Sequence, residues 1–411
     1  MKAPHSSSPA KHAPGRTAVM ISPIVPSETA HESAGEQLAA AMLSVLSSTA
    51  CTTVVSTITA ANTRSLERGT SVEHVLLPVA NAPQRNRVLR ALTVEPPAHP
   101  VALNAHRSLL ASADIFDLQW QESGALIPYL RSVNPRAQIV VTLHDVLSQR
   151  FARERAKAPT SKKKLLARAR WGAAKRLERK IARQADDVLV LSEKDGALLP
   201  TWRSGARLHV LRPPIHGALR EQRVEDTVGS PKLLFVGYMR REENIDALLW
   251  FSSEVLPAIR ERFPDVRVVV AGGGTPRDIG IRLSQAGVDV LGYVQDLEPL
   301  YTDCTAVIAP LRLGAGVKFK VVEALTRGIP VITTSVGAEG IPPSPAMLVG
   351  DDASSFGGQV TAVLDRTEEF DSLARAHAET ATRDFGLDDF RKRLQLVYSQ
   401  GPLHRGSRHF H

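Results

Sequence analysis

The amino-acid sequence predicts an α/β protein made of two doubly wound domains. The chain has 411 residues, which is enough for two ordinary domains. In both halves, apolar strand-like runs alternate with segments of helical spacing, the pattern of a parallel sheet covered by helices. Two prolines at 213 and 214 stiffen the connection between the halves. We therefore expect one domain over residues 17–212 and a second over 213–386.

Each half carries six strand-like runs. In the first half they lie at 17–25, 52–58, 72–79, 114–120, 138–143 and 186–191. In the second they lie at 232–237, 266–271, 288–291, 304–309, 330–333 and 346–349. Helical spacing predicts helices over 35–47, 244–262, 276–286 and 318–327, and across most of 352–399.

Composition narrows the classes of protein to consider. Hydrophobic residues make up 43% and charged residues 23%, which is ordinary for a globular protein. No apolar run approaches the roughly 18 residues that a transmembrane helix needs. Residues 1–16 and 400–411 are predicted to be disordered tails, and the first lacks the apolar core of a secretory signal. We expect a cytoplasmic protein.

The two cysteines, Cys51 and Cys304, both fall in apolar, strand-like contexts. This setting predicts buried free thiols in a reducing compartment, with no disulfide and no metal site.

The most basic segment spans residues 150–183, in a chain of formal net charge +9. Its basic residues include the run from Lys162 to Lys164, and an incomplete apolar stripe accompanies them (Leu165, Leu166, Trp171 and Leu177). One interpretation is a solvated helix face. The other is an interfacial helix, over 162–183, resting on an anionic membrane surface. Nucleic acid is the least favoured partner because no recognised binding module accompanies the charge.

The stretch from Gly314 to Glu323 has the features of an anion site. Its glycines allow backbone amides to approach an anion, and a helix start favours negative charge. Lys318 and Lys320 add positive charge, and Glu323 shares a helix side with Lys320. Groups that donate hydrogen bonds to phosphate would line the opening of this site, and a carboxylate would lie deeper within it. This arrangement predicts nucleotide binding, with the ribose hydroxyls donating to Glu323.

Motifs in a fixed order connect this stretch to a known family. They are Asn244-x-Asp-Ala-x-x-Trp-Phe, Gly272-Gly-Gly, Leu291-Gly-Tyr-Val-x-Asp, Ala309-Pro-Leu-Arg-x-Gly-x-Gly-x-x-x-Lys and Glu323-Ala-Leu-x-x-Gly-x-Pro-Val-Ile. Residues 231–341 thereby resemble the group 1 retaining glycosyltransferases of the GT-B fold. The resemblance implies two Rossmann-like domains facing a cleft, with the acceptor bound by the first and a nucleotide-diphosphate sugar by the second. It also implies that the last helix, 387–399, returns to pack on the first domain.

The resemblance assigns roles to particular residues. Glu323 would bind the ribose, Lys320 rather than Lys318 the diphosphate, and one of two arginines would clamp the leaving group. The expected donor-binding residues are Arg240, Arg241, Gly273, Tyr293, Val294, Gly314, Ala315, Gly316, Val317, Lys320 and Glu323. Ala315 stands where many relatives carry a second glutamate against the donor sugar. Asn244 is expected to cap the following helix.

His144 and Asp145 follow the buried run at 138–143, at the strand end where open α/β sheets bind ligands. The resemblance implies that His144 faces the donor sugar, and we predict both residues to be catalytic. A loop-capping histidine and a helix-capping aspartate are the alternatives.

These observations together predict a glycosyltransferase. The family resemblance implies that it moves a sugar, with retention, to a glycan or to a lipid-linked or polysaccharide precursor. No Asp-x-Asp pair occurs in the sequence, so we expect neither a metal nor a cofactor, with lysine and arginine stabilising the leaving diphosphate. A nucleotide-sugar epimerase is one alternative. A non-catalytic nucleotide-sugar-binding subunit, which Ala315 would suit, is another.

Overall fold

The computed structural model describes residues 15–26, 34–67, 71–78, 100–199, 205–215, 217–220 and 229–403. Both predicted tails fall largely outside these ranges. The described residues form two parallel β-sheets with helices on their faces, which confirms the predicted fold class.

The first sheet has seven strands, all parallel, in the order β3-β2-β1-β4-β5-β6-β7. The strands are β1 (Thr17–Ile21), β2 (Cys51–Thr57), β3 (Glu73–Leu77), β4 (Ile115–Gln119), β5 (Gln138–Leu143), β6 (Asp187–Val190) and β7 (Arg207–Val210). Ala18 of β1 pairs with Thr52 on one side and Ile115 on the other. The strand order reverses at β1, which opens a crevice at the carboxyl ends of β1 and β4.

The edge strand β7 was not predicted, because charged and polar side chains interrupt its apolar pattern. Arg207 and His209 both turn to the buried carboxylate of Asp187 on β6, at 2.7 and 2.8 Å. Burial alone would raise the pKa of Asp187, but hydrogen bonds from His209, Arg207 and Gln138 outweigh it and lower the pKa. The buried carboxylate of Asp187 therefore pairs with the polar side chains that obscured this strand in the sequence.

The second sheet has six parallel strands in the order β10-β9-β8-β11-β12-β13. They are β8 (Lys232–Val236), β9 (Arg267–Ala271), β10 (Val288–Gly292), β11 (Ala306–Ala309), β12 (Val331–Thr333) and β13 (Met347–Val349). Its order reverses between β8 and β11, so its ligand crevice lies beyond their carboxyl ends.

Sixteen α-helices lie in the described part of the chain. In the first half they are α1 (Ala34–Thr49), α2 (Ala60–Glu67), α3 (Pro100–Asn104), α4 (Arg107–Ser112), α5 (Ile127–Val133), α6 (Leu147–Lys157), α7 (Ser161–Gln184) and α8 (Glu193–Leu198). In the second they are α9 (Glu242–Trp250), α10 (Leu256–Arg262), α11 (Arg277–Gln285), α12 (Glu298–Asp303), α13 (Phe319–Thr326), α14 (Ala353–Asp365), α15 (Thr367–Asp384) and α16 (Leu387–Ser399). A 3-10 turn over Gln121–Leu126 precedes α5.

The single helix predicted over 244–262 is interrupted by a π turn, Phe251–Val255, between α9 and α10. Pro257 follows this turn. Because proline has no N–H, it cannot make the regular hydrogen bond to the preceding turn.

The last helix, α16, lies against α1 of the first half. Its Leu394 and Val397 belong to the same apolar cluster as Met42 of α1 and Val321 of α13. The Tyr398 hydroxyl also donates to the carboxylate of Asp117 on β4. One helix therefore joins the packed interiors of both sheets.

The two cysteines differ from each other. Cys304 is buried as predicted, whereas Cys51 is exposed, so the prediction for Cys51 was wrong. Cys51 is the first residue of β2, at the strand's uncovered end.

Among the described residues, no helix combines the length and apolar character needed to cross a bilayer.

Candidate functional site

Three loops pack together at the carboxyl ends of β8, β9 and β10. The Met239 amide donates to the Gly273 carbonyl at 2.9 Å, and the Gly272 amide donates to the Gly292 carbonyl at 2.7 Å. Gly272 has φ +150°, and a Cβ there would collide with the carbonyl oxygen of Gly237. The glycine triplet, a weak motif in sequence, is thus what lets these loops pack so closely.

The predicted donor-binding residues Gly273, Tyr293 and Val294 lie together in these loops. A Cβ at Gly273 would be 3.5 Å from that of Tyr293, whose side chain is largely exposed. Arg240 and Arg241 flank the same loops at the surface, and Arg241 pairs with Glu243 at 3.4 Å. The site therefore has one open rim bearing both arginines.

Lys320 reaches from α13 to the loop after β8. Its Nζ donates to Asn244 Oδ1 at 2.9 Å and lies 3.9 Å from the ring centroid of Phe235. Burial lowers the pKa of Lys320 to about 7, and the charge of Arg241 adds to the effect. A bound anion would therefore stabilise the charged form of Lys320.

Asn244 is not the helix cap that we expected. Helix α9 begins at Glu242, with Arg241 in the capping position, so Asn244 lies inside its first turn. Its amide instead donates to the Tyr238 carbonyl at 2.9 Å while its oxygen accepts from Lys320. Asn244 thus ties the loop after β8 to α13.

The glycine loop before α13 is held by Lys318. Its Nζ donates to the carbonyls of Ala315 and Gly316, at 2.9 and 2.6 Å. Gly314 and Gly316 both have positive φ, +103° and +74°. Burial lowers the pKa of Lys318 to about 8. Lys318 therefore braces the loop from within, which leaves Lys320 as the lysine at its mouth.

Val317 contributes only backbone to this loop, because its side chain is buried in the apolar cluster that spans both sheets.

Glu323 lies three residues beyond Lys320 on α13. Its Oε2 accepts a hydrogen bond from the buried Tyr301 hydroxyl at 3.0 Å. Burial raises the pKa of Glu323, and hydrogen bonding to Tyr301 opposes the rise. Glu323 is therefore a positioned carboxylate, not an exposed acid at a helix start. No sequence signal pointed to Tyr301.

His144 and Asp145 come from the first sheet and lie against the glycine loop of the second. A Cβ at Gly316 would be 3.1 Å from the His144 carbonyl oxygen and 3.5 Å from the Asp145 Cβ. Burial raises the pKa of Asp145, while the charges of Arg150 and Lys318 oppose the rise. The structure thus brings the two predicted halves of the site together.

The His144 imidazole is held in a tight setting. It stacks on Trp120 with ring centroids 3.9 Å apart, and its Nε2 lies 3.1 Å from Gln119 Oε1. Burial lowers its pKa to about 3, so the ring is neutral at physiological pH. Trp120 has φ +65°, and no other non-glycine residue in the described ranges has a positive φ. Sequence reasoning missed Gln119 and Trp120, although a polar residue ending the buried strand β4 was a visible signal.

Ion pairs also join the two sheets near this point. Arg153 of α6 donates to the Gly314 carbonyl and pairs with Glu339, and Lys194 of α8 lies 3.3 Å from the same carboxylate. Burial would raise the pKa of Glu339, but Arg153 and Lys194 outweigh it and lower the pKa. Sequence reasoning did not find this bridge, since it joins residues far apart in the chain.

Part of the second domain matches a known protein family. Residues 230–366 match the family of group 1 glycosyl transferases. The matched segment runs from β8 to the end of α14 and contains the glycine loop, Lys320 and Glu323.

A curated relative aligns over a shorter stretch. It is an uncharacterised 44.6 kDa protein in the cps region of Klebsiella pneumoniae, 28% identical over 116 residues. The aligned part covers 26% of this chain and spans only 30% of that relative.

Solved structures match over nearly the whole chain. Sucrose-phosphate synthase from Thermosynechococcus elongatus aligns with TM-score 0.71 and 17% identity, covering 94% of this chain and 99% of that one. The Anabaena protein HepE, in complex with UDP and glucose, aligns with TM-score 0.66 and 13% identity, covering 93% and 99%. A glycosyltransferase from Rickettsia africae aligns with TM-score 0.62 and 14% identity, covering 94% and 98%. These matches establish the GT-B fold.

Proposed function

We propose that this chain is a glycosyltransferase that binds a nucleotide-diphosphate sugar on its second domain and transfers the sugar, with retention, to an acceptor on its first. One observation carries the proposal. The glycine loop that opens α13, inside the segment matching the group 1 family, lies directly against His144 and Asp145 of the other sheet.

The donor diphosphate would lie between the glycine loop and Lys320. Lys320 is a partly buried lysine whose hydrogen-bond partner among the described residues, Asn244, is neutral, so a phosphate oxygen would favour its charged form. Arg240 and Arg241 stand at the rim, where a planar guanidinium suits phosphate oxygens. The amides of Gly314 to Val317 would complete the anion site.

The nucleoside would extend from this point. Glu323 would accept hydrogen bonds from the ribose hydroxyls, since Tyr301 occupies only its Oε2. The base would lie along the backbone of Tyr293 and Val294. UDP is the first nucleotide to test, because the related HepE structure contains UDP and glucose.

In the transfer step, the bond from the anomeric carbon to the β-phosphate oxygen breaks. The acceptor oxygen bonds to the same carbon, and its proton leaves with the nucleotide diphosphate. Lys320 and the rim arginines would stabilise the departing diphosphate without a metal or cofactor. His144, neutral in its buried setting, would contact the donor sugar, and Asp145 would lie beside it.

We further propose a cytoplasmic protein that works at an anionic membrane surface on a lipid-linked or polysaccharide precursor. The first half of α7 exposes Leu165, Leu166 and Trp171, with the lysines at 162–164 exposed beside them. Its second half buries Leu177 and Ile181 against the first domain. An apolar strip within a basic surface fits anionic lipid better than a purely solvated face.

Ala315 supports a second candidate, a transferase-like subunit that binds the donor without turning it over.

The decisive experiment is calorimetric titration of UDP and other nucleoside diphosphates, followed by a turnover assay with UDP-sugars. We expect binding that survives a chelator and that is lost in Lys320→Met. Lys232→Met is the matched control, because Lys232 pairs with Asp303 at the start of β8, away from the glycine loop. Binding that needs a divalent ion would contradict the metal-free proposal. Donor binding without turnover on any acceptor would favour the subunit, and donor isomerised without an acceptor would indicate an epimerase.

A further inference from the structure

A chain of buried polar groups leads from α16 to His144. The Tyr398 hydroxyl donates to the Asp117 carboxylate, and Gln119 Nε2 donates to the other oxygen of the same carboxylate. Gln119 Oε1 then lies 3.1 Å from His144 Nε2. Tyr398, Asp117 and Gln119 are almost completely buried. The proposed function makes no use of these three residues.

The orientation of the Gln119 amide follows from its neighbours. An ionised carboxylate only accepts hydrogen bonds, so the amide nitrogen must face Asp117. Thr142 Oγ1, 3.4 Å away, lies on the same side of the amide. Burial raises the pKa of Asp117 to about 6, against the hydrogen bonds from Tyr398 and Gln119, so this carboxyl is ionised at pH 8. The amide oxygen is left to face the imidazole.

That orientation decides which ring nitrogen of His144 carries hydrogen. The amide oxygen can only accept, so His144 Nε2 must donate. Nδ1 then carries a lone pair. No described residue hydrogen-bonds to Nδ1, and Gly35 at the start of α1 keeps space beside it. A Cβ at Gly35 would lie 3.6 Å from Nδ1 and 2.8 Å from the Trp120 ring.

We propose that Gln119 is a positioning residue that holds His144 with Nε2 protonated, leaving Nδ1 as the acceptor for a hydroxyl of the donor sugar. The part concerning the sugar rests on the proposed function, whereas the tautomer does not. Trp120 supports the arrangement, because its stacked ring, 8° from the imidazole plane, prevents the imidazole from tilting.

The test is the nitrogen spectrum of histidine-labelled protein at pH 8, without ligand. Two-bond proton–nitrogen correlations distinguish the two neutral tautomers, and the His144 signals are identified by their loss in His144→Ala. We expect Nε2 to show the protonated pattern and Nδ1 the unprotonated one. In Gln119→Met, which keeps side-chain length but has no acceptor of comparable strength, the signals should shift towards a mixture of tautomers.

Gln138→Leu is the matched control. Gln138 is a buried glutamine on the adjacent strand, and it donates to Asp187 and the Val397 carbonyl instead of to His144. The Gln138→Leu variant should leave the His144 signals unchanged, although we expect the variant to be less stable than the wild-type protein.

Gln119→Glu covers the case in which Gln119→Met fails to fold. The new carboxyl would face Asp117 and share one proton with its carboxylate, while its other oxygen would still accept from His144 Nε2. The Nε2-protonated pattern should therefore be retained in this variant. A wild-type His144 protonated at Nδ1 would overturn the proposal, as would a pattern unchanged in Gln119→Met.

Activity separates this proposal from the proposed function. With an active donor and acceptor pair, Gln119→Met should lower kcat at least tenfold while UDP affinity stays within twofold. Wild-type protein without any turnover would contradict the proposed function and leave the tautomer result standing. Full turnover in Gln119→Met would overturn the role assigned to Nδ1.

Discussion

Lys320 is a partly buried lysine whose hydrogen-bond partner among the described residues, Asn244, is neutral. We expect Lys320→Met to weaken UDP binding by about 2 kcal/mol, roughly thirtyfold, because a charge-assisted hydrogen bond is lost. Since its pKa in the folded protein is about 7, wild-type affinity should fall as pH rises above 7, where the free protein loses the proton. Calorimetry from pH 6 to 9 measures this. An affinity that is flat across that range would contradict it.

The lowered pKa of Lys320 has the opposite effect on the stability of the ligand-free protein. Because the folded-state pKa lies below the ordinary value for lysine, folding disfavours the charged form, and stability should rise with pH above 7. Without ligand, Lys320→Met should therefore be no less stable than wild type at pH 6.

Glu323→Gln tests the ribose contact. The amide oxygen can still accept from Tyr301, so the fold should hold, but the charge-assisted bonds to ribose would be lost. We expect UDP binding to weaken by about 1.5–3 kcal/mol, measured by calorimetry. Tyr301→Phe, which frees the carboxylate, should weaken binding less. Unchanged affinity in Glu323→Gln would mean that the carboxylate serves only Tyr301.

The residues that sequence could predict are those in local motifs. The glycine loop, Lys320 and Glu323 lie within ten residues, so one helix turn brings them together. The contacts around them come from distant parts of the chain, and no local pattern encodes these. Asn244 illustrates the difference. Its residue type and position in the sequence predict a helix cap, but its side chain instead accepts a hydrogen bond from Lys320.

The glycine loop before α13 approaches the first domain closely at Gly316. Gly316→Ala adds a Cβ at φ +74°, 3.1 Å from the His144 carbonyl oxygen. We expect a stability loss of about 1–3 kcal/mol from backbone strain, together with a more open arrangement of the two domains, detectable by small-angle X-ray scattering. Gly314→Ala is the matched control, because its φ is also positive but its nearest neighbours belong to the side chains of Lys318 and Glu243. Equal scattering from the two variants would contradict the prediction.

The bridge between α6 and the loop after β12 should stabilise the closed arrangement. Arg153→Met removes bonds to Gly314 and Glu339, and we expect a loss of about 2 kcal/mol at pH 7 in thermal unfolding. Glu339 has a lowered folded-state pKa, so its contribution is present above its unfolded pKa and is lost as pH falls through the folded value. The difference between the two melting temperatures should therefore shrink as pH falls below the unfolded pKa of glutamate, and the bond from Arg153 to Gly314 should account for what remains.

Arg262→Met provides the control for this bridge. Arg262 pairs with Asp365 at the surface, with 61% of its side chain exposed, so its loss should change stability by less than about 1 kcal/mol. An Arg153→Met variant that unfolds like Arg262→Met would remove the bridge from the interface.

At the scale of the whole molecule, the formal charge of +9 and the exposed start of α7 predict reversible membrane attachment. The purified protein should sediment with anionic vesicles at low salt and leave them at high salt, since salt screens surface charge. Changing Lys162, Lys163 and Lys164 to Glu should reduce sedimentation and spare UDP affinity.

The control changes three other exposed basic residues to Glu, Arg391, Lys392 and Arg393 on α16, and so alters net charge equally. Equal loss of sedimentation in both variants would show that net charge matters and α7 does not.

The fold was predictable because parallel strands buried on both faces leave apolar runs that are easy to read. Twelve of the thirteen strands in the described residues gave such runs, and β7 did not, because its alternate positions carry Arg207 and His209. How the sheets face each other was implied only by family resemblance. No periodicity encodes contacts such as that of Gly316 with His144.

The position of α16 has a consequence for synthesis on the ribosome. Met42 and Leu46 of α1 share an apolar cluster with Leu394, Val397 and Tyr398, which follow every other buried member of that cluster in the chain. Asp117 likewise lacks its hydrogen bond from Tyr398 until that residue has been translated. The first sheet therefore emerges from the exit tunnel with one flank of α1 uncovered, and it keeps that flank exposed while the second domain is made. A nascent chain ending before residue 387 should accordingly be a chaperone client, and release of the remaining residues should complete both domains at once.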